Sequence, residues 1–345
     1  MIDNVSENKA KFSYFLALEK LFSEIQERPS GIMKERYGIK NEKPKTLEEI
    51  GREYKITRER VRQIIRETFK KLKKKKNDIL NEVLDKIVLA IKEKNGIIKE
   101  EKLLSGSLET KERGSLKFFL DFFDEIEYRE TSGELESSWT INDFSLTEWK
   151  MAKNKVKEIL EKSQKTLIES EILNEIEKSG KINITQKKLL DYLDVSGEIK
   201  KGNFKKWGLK IWDEISPKGT REKIYLVLKE TEKPLHFKEI ACLIDKYKLS
   251  KKKKAHPQTV HNELIRDERF ILVGRGTYAL SEWGYKKGTV KEVIGDILKK
   301  NAEPMERERI MNEILNLRKV KKSTVLINLN NFFQKVGKNS YSIKK

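Results

Sequence analysis

Apolar residues near the start of the chain fall at helical spacing. Between about Lys11 and Tyr37, the positions Phe12, Phe15, Leu16, Leu21, Phe22 and Ile25 mark one face of an amphipathic helix, which Pro29-Ser30-Gly31 is expected to break. A loop from Gly38 to Lys45, with Asn41 and Pro44, leads into two short helical patterns separated by Lys55-Ile56. In the first, Thr46 and Glu49 have the spacing of a capping box, and Leu47, Ile50 and Tyr54 form the buried face. Gly51 leaves room for a close helix crossing, Ile56 plugs the turn, and Thr57 caps the second helix. There Val61, Ile64 and Leu72 point inward, which leaves Arg58, Glu59, Arg62, Gln63 and Arg66 outside. The pair reads as a helix-turn-helix.

Farther along, one plan recurs: two or three helical stretches, then a short alternating apolar segment with glycine that reads as a hairpin. The clearest copies start at Gly219-Thr220 and Gly288-Thr289. Each runs through an amphipathic helix (Ile224, Leu228; Val293, Ile297, Leu298) and a proline turn (Lys233-Pro234-Leu235; Glu303-Pro304-Met305). A third helical stretch follows at Thr259-Val260 or Thr324-Val325, and the closing segments run from Val273 to Leu280 and from Val336 to Ile343. A period of roughly 70 residues suits one small winged-helix domain per copy. Weaker copies span about 78–143 and 148–213, ending at Trp139-Thr140-Ile141 and at Trp207 to Trp212. The expected fold is mainly α: an N-terminal helix-turn-helix followed by tandem winged-helix modules with short β-hairpin wings. The expected boundaries are 1–76, 77–145, 146–215, 216–284 and 285–345.

Charge narrows the partners. Lys and Arg outnumber Asp and Glu by 75 to 55 in 345 residues, a net +20, which favours polyanions. No apolar run approaches the length of a membrane span, and the start lacks the layout of a secretory signal, so the expected setting is the cytoplasm without membrane attachment. Cys242 is the only cysteine, which excludes an intramolecular disulfide and a thiolate zinc cluster. His236, His256 and His261 have no zinc-ligand spacing, and neither a Walker loop nor a nucleophile elbow occurs. Neither enzyme activity, metal nor cofactor is expected. His256 and His261 read as turn and helix-surface residues. Trp139, Trp207, Trp212 and Trp283 read as plugs at module ends.

The second helix of the helix-turn-helix offers Arg and Gln near its N-terminus, a chemistry suited to base edges because Arg pairs with guanine and Gln with adenine through two hydrogen bonds. The lysines from Lys70 to Lys76 suit phosphates. The stretch Glu35-Arg36-Tyr37-Gly38-Ile39, then Thr46 to Gly51, then Thr57 to Ile64, resembles the fourth conserved region of bacterial primary sigma factors over about residues 20 to 75. That resemblance implies a domain that reads the promoter -35 element in the major groove and docks on the flap of the polymerase beta subunit. Carried over by position, Arg58, Glu59 and Gln63 would touch bases and Arg62 phosphate, while Ile65 stands where the family has an acid. Too few residues precede the motif to hold the other sigma regions, so a complete sigma factor is not expected.

The segment from Lys233 to Ile240, with Val273 to Leu280, resembles the HARE-HTH winged-helix domain over about 219–283, and the last module looks like a diverged relative. The HARE-HTH family occurs in the polymerase delta subunit, in chromatin proteins and in some restriction endonucleases. Pro234 sets a turn, His256 to Thr259 feed a third helix, and Gly274 and Gly276 permit a tight hairpin with Arg275 at its tip. The candidate DNA-contacting residues are therefore Thr57, Arg58, Glu59, Arg60, Arg62, Gln63, Arg66, Lys70, Lys73 and Lys74 in the first domain, and Gln258, Thr259, Arg275 and Lys338 in the last two, with Lys251 to Lys254 as further phosphate ligands. The expected function is a sequence-specific DNA-binding transcription regulator acting on double-stranded DNA. A delta-like RNA polymerase accessory subunit is the alternative. A restriction-type nuclease subunit, using Asp121 with Asp124 or Asp267 with Glu268, is the third reading. Oligomeric state stays open.

Overall fold

Four helices open the chain: α1 (Tyr14–Phe22), α2 (Glu27–Arg36), α3 (Leu47–Tyr54) and α4 (Arg58–Lys73). The computed structural model describes residues 12–40, 43–74, 77–105, 109–180, 183–250, 253–285, 288–301, 303–317 and 320–344. The expected break at Pro29-Ser30-Gly31 is not where the first helix ends. The chain turns at Ser23 to Gln26 instead, and all three residues lie inside α2. Pro29 sits in the first turn, where its missing N–H has no helical partner to lose. Gly31 is there because a Cβ would lie 2.6 Å from the Tyr54 hydroxyl.

The turn between α3 and α4 follows from local chemistry. The Thr46 N–H donates to the Glu49 carboxylate at 2.7 Å, and the Glu49 N–H donates to the Thr46 hydroxyl at 3.2 Å. Lys55 ends α3 in the left-handed region at φ 53°, and the Ile56 N–H returns to the Gly51 carbonyl at 2.9 Å. A Cβ on Gly51 would stand 2.8 Å from the Ile56 carbonyl oxygen, so the glycine admits the turn itself rather than a crossing helix. Ile32, Ile50 and Val61 close the small core, with Leu47, Tyr54, Ile56, Ile64 and Ile65 around it.

Next come α5 (Asp78–Lys92), β1 (Ile97–Lys99), α6 (Glu100–Ser105), α7 (Thr110–Phe122), β2 (Ile126–Arg129) and β3 (Ser138–Ile141). The strands form an antiparallel sheet in the order β1-β3-β2, with Trp139 between Ile98 and Tyr128. Helix, strand, two helices and a hairpin is the winged-helix order. After α8 (Leu146–Ser163), α9 (Glu169–Ser179) and α10 (Gln186–Asp194) come the short strands β4 (Ile199–Lys201) and β5 (Trp207–Leu209), of which Trp207 bridges to Leu167. The winged-helix order then returns twice. It runs through α11 (Thr220–Thr231), β6 (Leu235–His236), α12 (Phe237–Lys246), α13 (Pro257–Arg266), β7 (Phe270–Gly274) and β8 (Thr277–Leu280). It runs again through α14 (Val290–Asn301), β9 (Met305–Glu306), α15 (Arg307–Leu317), α16 (Lys322–Phe332), β10 (Gln334–Val336) and β11 (Ser340–Ser342). The chain is mainly α, its strands confined to small antiparallel sheets.

The chain divides into two units, Met1–Lys165 with Glu169–Lys200 and Thr166–Ile168 with Lys201–Lys345. The segment expected as a module at 146–215 is shared between them: its helices belong to the first and β5 to the second. Within the first unit the N-terminal helices and the 78–141 module have one core. Phe118 of α7 lies edge-on to Phe22, Tyr37 and Phe69 at 5.3–5.4 Å between ring centres, and stacks on Phe122. Gly114 makes this approach possible, since a Cβ there would fall 2.3 Å from the Tyr37 carbonyl oxygen. Glu112 of α7 also accepts the Phe15 N–H at 3.2 Å and the Ser13 hydroxyl, capping α1 from across the interface. Trp139 is buried in this same core, and Trp283 is half-buried against its own module.

Phe118→Ala is expected to cost about 3–5 kcal/mol, the usual effect of deleting a buried aromatic ring. Because one core serves both modules, hydrogen exchange should show α1, α4 and α7 losing protection together. Loss confined to α7 would contradict the shared core. Lys55→Gly relieves a left-handed non-glycine residue and should raise stability by up to about 1 kcal/mol in a denaturation midpoint measurement.

Candidate nucleic-acid interface

The outward face of α4 is built by its inward one. Val61, Thr68 and Leu72 are buried, and Ile64, Ile65 and Phe69 are half-buried, so the helix is held along its whole length. Ile65, at the position where the resembled family has an acid, packs between the small helix-turn-helix core and the shared core and offers nothing to solvent chemistry. The remaining positions are exposed. Among them Arg58, Arg62, Arg66, Lys70 and Lys74 recur every four residues as a cationic ridge. Thr57 caps the helix, its hydroxyl accepting the Arg60 N–H at 3.2 Å.

The head of α4 carries Arg58 and Arg60 in its first turn, where the helix dipole disfavours cations. Nothing in the packing requires them there. Arg62 is held by Glu59 through two hydrogen bonds, at 2.7 and 2.8 Å, and Arg60 donates to the Gln63 side chain at 3.1 Å. The Arg62 guanidinium keeps the Glu59 carboxyl below its ordinary range, so it stays ionised at neutral pH. Among the described residues no hydrogen bond or ion pair engages Arg58, Arg66, Lys70 or Lys74. Lys73 differs: its ammonium lies 2.6 Å from Asp124 and 5.5 Å from the centre of the Phe122 ring, so it fastens α4 to the second module. Lys75 and Lys76 lie outside the described residues.

The four later third helices divide into two kinds. In α7 all of Gly114 to Phe122 except Lys117 and Asp121 is buried, against the N-terminal helices. In α10 Tyr192 is buried, Asp191 takes Asn95 at 2.6 Å and Lys94 at 3.4 Å, and Asp194 takes Lys102 at 2.7 Å. The wing between β2 and β3 is engaged as well. Glu134 meets buried Lys153 at 2.9 Å, Lys153 meets Glu198 at 2.5 Å, and a Cβ on Gly197 would stand 2.7 Å from the Gly133 carbonyl. Inside the first unit, then, helix and wing hold modules to one another.

In the second unit α13 leaves Gln258, Thr259, Asn262 and Arg266 exposed, with Gln258 donating to Asn262 at 3.3 Å. The β7–β8 turn is formed by Arg275 and Gly276. Gly276 lies in the left-handed region at φ 64°, and a Cβ there would fall 2.6 Å from the His236 ring, so the turn is seated and exposed Arg275 projects from a fixed base. His261 is not a surface residue: it is half-buried and stacked on Phe237 at 4.4 Å. Lys253 and Lys254 are exposed, and Lys251 and Lys252 lie outside the described residues. Lys338 is exposed in the β10–β11 turn.

The carboxylate pairs named for a nuclease are engaged elsewhere. Asp121 accepts the Tyr37 hydroxyl at 3.1 Å, Asp124 holds Lys73, and Asp267 holds Arg269 at 2.6 Å. Burial pushes the Asp121 carboxyl above its ordinary range. Sequence reasoning missed Lys153 and Trp149, whose indole donates to the Tyr192 carbonyl at 3.0 Å; no local pattern distinguishes a lysine buried by tertiary pairing from a surface one. Among the described residues no helix is long and apolar enough to cross a membrane.

Comparison with known proteins places two families on this geometry. Residues 21–74 match the family model for Sigma-70, region 4, and residues 220–283 match that for HARE-HTH, the restriction endonuclease HTH domain. The chain is 36% identical over 83 residues to RNA polymerase sigma factor SigA of Nostoc sp., covering 24% of this chain and 20% of that protein. It is 41% identical over 61 residues to RNA polymerase principal sigma factor HrdD of Streptomyces viridifaciens, 18% of each chain. The chain thus spans about a fifth of the length of these relatives. The two domain matches support a DNA-binding, transcription-related role.

If α7 is closed to nucleic acid and α4 is open, charge reversal should separate them. Arg66→Glu with Lys70→Glu is expected to weaken duplex binding by at least about ten-fold, and Lys111→Glu with Arg113→Glu, exposed on α7, by less than about three-fold. Anisotropy titrations at one salt concentration measure both.

Proposed function

We propose that this protein is a sequence-specific transcription regulator that reads a -35-like element with α4 and adds contacts through α13 and the Arg275 turn. The observation that carries the reading is the head of α4: Arg58 and Arg60 stand where helix electrostatics disfavours them, exposed, on a helix fixed along its other face. Arg58 and Gln63 have the side chains for guanine and adenine edges, and Glu59 can accept from cytosine. The Glu59–Arg62 and Arg60–Gln63 pairs hold these groups in register before DNA arrives. Lys70 and Lys74 supply phosphate contacts that position without specifying, and Gln258, Thr259 and Lys338 extend the same role. The five segments bounded near 76, 145, 215 and 284 are proposed as its working domains.

A second reading, contact with RNA polymerase, is supported by the relatives, which are RNA polymerase sigma factors. Such a contact, including one with the beta flap, would have to use surface that α7 leaves open, because the apolar face of α1, α2 and α4 is already covered.

Arg58→Ala should abolish most discrimination between a TTGACA-bearing duplex and a scrambled one, worth about 1–3 kcal/mol, with little change on the scrambled duplex. Lys70→Ala with Lys74→Ala should weaken both duplexes alike. Equal loss on both duplexes from the two changes would sink the assignment of base reading to α4.

A further inference from the structure

No Asp or Glu occurs after Glu313, whereas the same stretch carries eight Lys and Arg. Elsewhere the two signs are interleaved, at 75 to 55 over the whole chain. The acid-free stretch is not a tail: it contains the third helix and the hairpin of the last winged-helix module, α16, β10 and β11, where that fold presents a reading helix and a wing. We propose that α16 with the β10–β11 turn is a further duplex-DNA contact site, a role that rests on the reading of this chain as a DNA-binding protein.

The side chains argue the same way. Val325 and Leu329 hold α16 in its core with Val293, Ile294 and Phe333. That leaves Lys321, Lys322, Ser323, Thr324, Ile327 and Asn331 exposed: cations at the head, then hydroxyl, amide and aliphatic groups along the face. This set suits phosphate at the head and base edges or a thymine methyl beyond. The turn after β10 places Lys338 outward, and the Arg307 N–H, donating to the Asn339 carbonyl at 2.8 Å, fixes that turn to the module. Among the described residues no hydrogen bond or ion pair engages Lys321, Lys322, Lys335 or Lys338. This is the reverse of α7 and α10, whose equivalent faces are filled by neighbouring modules. The head of α16 also opens on a cleft of about 1100 Å³ shared with Arg266 and Arg275, which puts both third helices of the second unit beside one space. Two acids on the cleft wall are already engaged, Asp267 by Arg269 and Glu292 by the Thr289 N–H.

The test uses the full chain. Lys322→Glu with Lys338→Glu is compared with Lys299→Glu with Lys300→Glu, an exposed pair at the far end of α14 carrying the same change of charge. Affinity is measured by anisotropy across a salt series on TTGACA-bearing and scrambled duplexes, with circular dichroism to verify folding. The expected result is at least a ten-fold loss on both duplexes and a salt slope reduced by about two for the first pair, against less than about three-fold for the control pair. Equal loss from both pairs, or no loss from the first, overturns the site. If the first pair is silent while Arg58→Ala still removes discrimination, the α16 site fails and the α4 reading stands. If wild-type chain binds neither duplex, the underlying DNA-binding reading fails and the site falls with it.

Discussion

The first unit depends on one contact, the seating of the aromatic face of α7 against α1, α2 and α4. A helix-turn-helix of this size has too little interior to be rigid by itself; Ile32, Ile50 and Val61 make a small core. Phe118 joins it to a second module through rings from four directions, and Gly114 lets the backbones approach closely enough for those rings to meet. The cost of ordering α4 for DNA is thereby met during folding rather than on binding.

That contact changes what a winged helix does in this chain. A third helix and a wing are presented by the fold whether or not nucleic acid is near, and in the first unit both face other protein. Aromatic residues on α7 and acids on α10 and in the 130–137 loop make that side unsuited to phosphate. In the second unit the corresponding helices carry Gln, Thr, Asn, Arg and Lys, and they remain exposed. The fold repeats; the chemistry of the exposed face separates brace from reader.

Electrostatics on α4 are arranged along the same lines. Glu59 beside Arg62 and Gln63 beside Arg60 reduce side-chain freedom at the reading end, each pair being worth little to stability because it is solvated. The ridge beyond them has no such partners at Arg66, Lys70 and Lys74, and therefore remains open to a polyanion. Lys73, one residue from Lys74, is withdrawn from that ridge by Asp124 and the Phe122 ring.

The sequence alone determined the elements whose causes are local: the Thr46–Glu49 capping box, the Thr57 cap, the apolar stripe of α4, the glycine hairpin around Arg275, and the recurrence of α16 and its wing at the end of the chain. Short-range rules suffice for these because their partners lie within a few residues. The same rules failed at Pro29 and Gly31, where breaker residues sit inside α2 because a first-turn proline loses no hydrogen bond and the glycine accommodates Tyr54 from a distant helix. They also could not separate Lys73 from Lys74, see that Lys153 is buried between Glu134 and Glu198, or distinguish α7 and α10 from α13 and α16 as third helices. Which face of a helix is covered depends on what packs against it from a hundred residues away. Only the tertiary structure decided that.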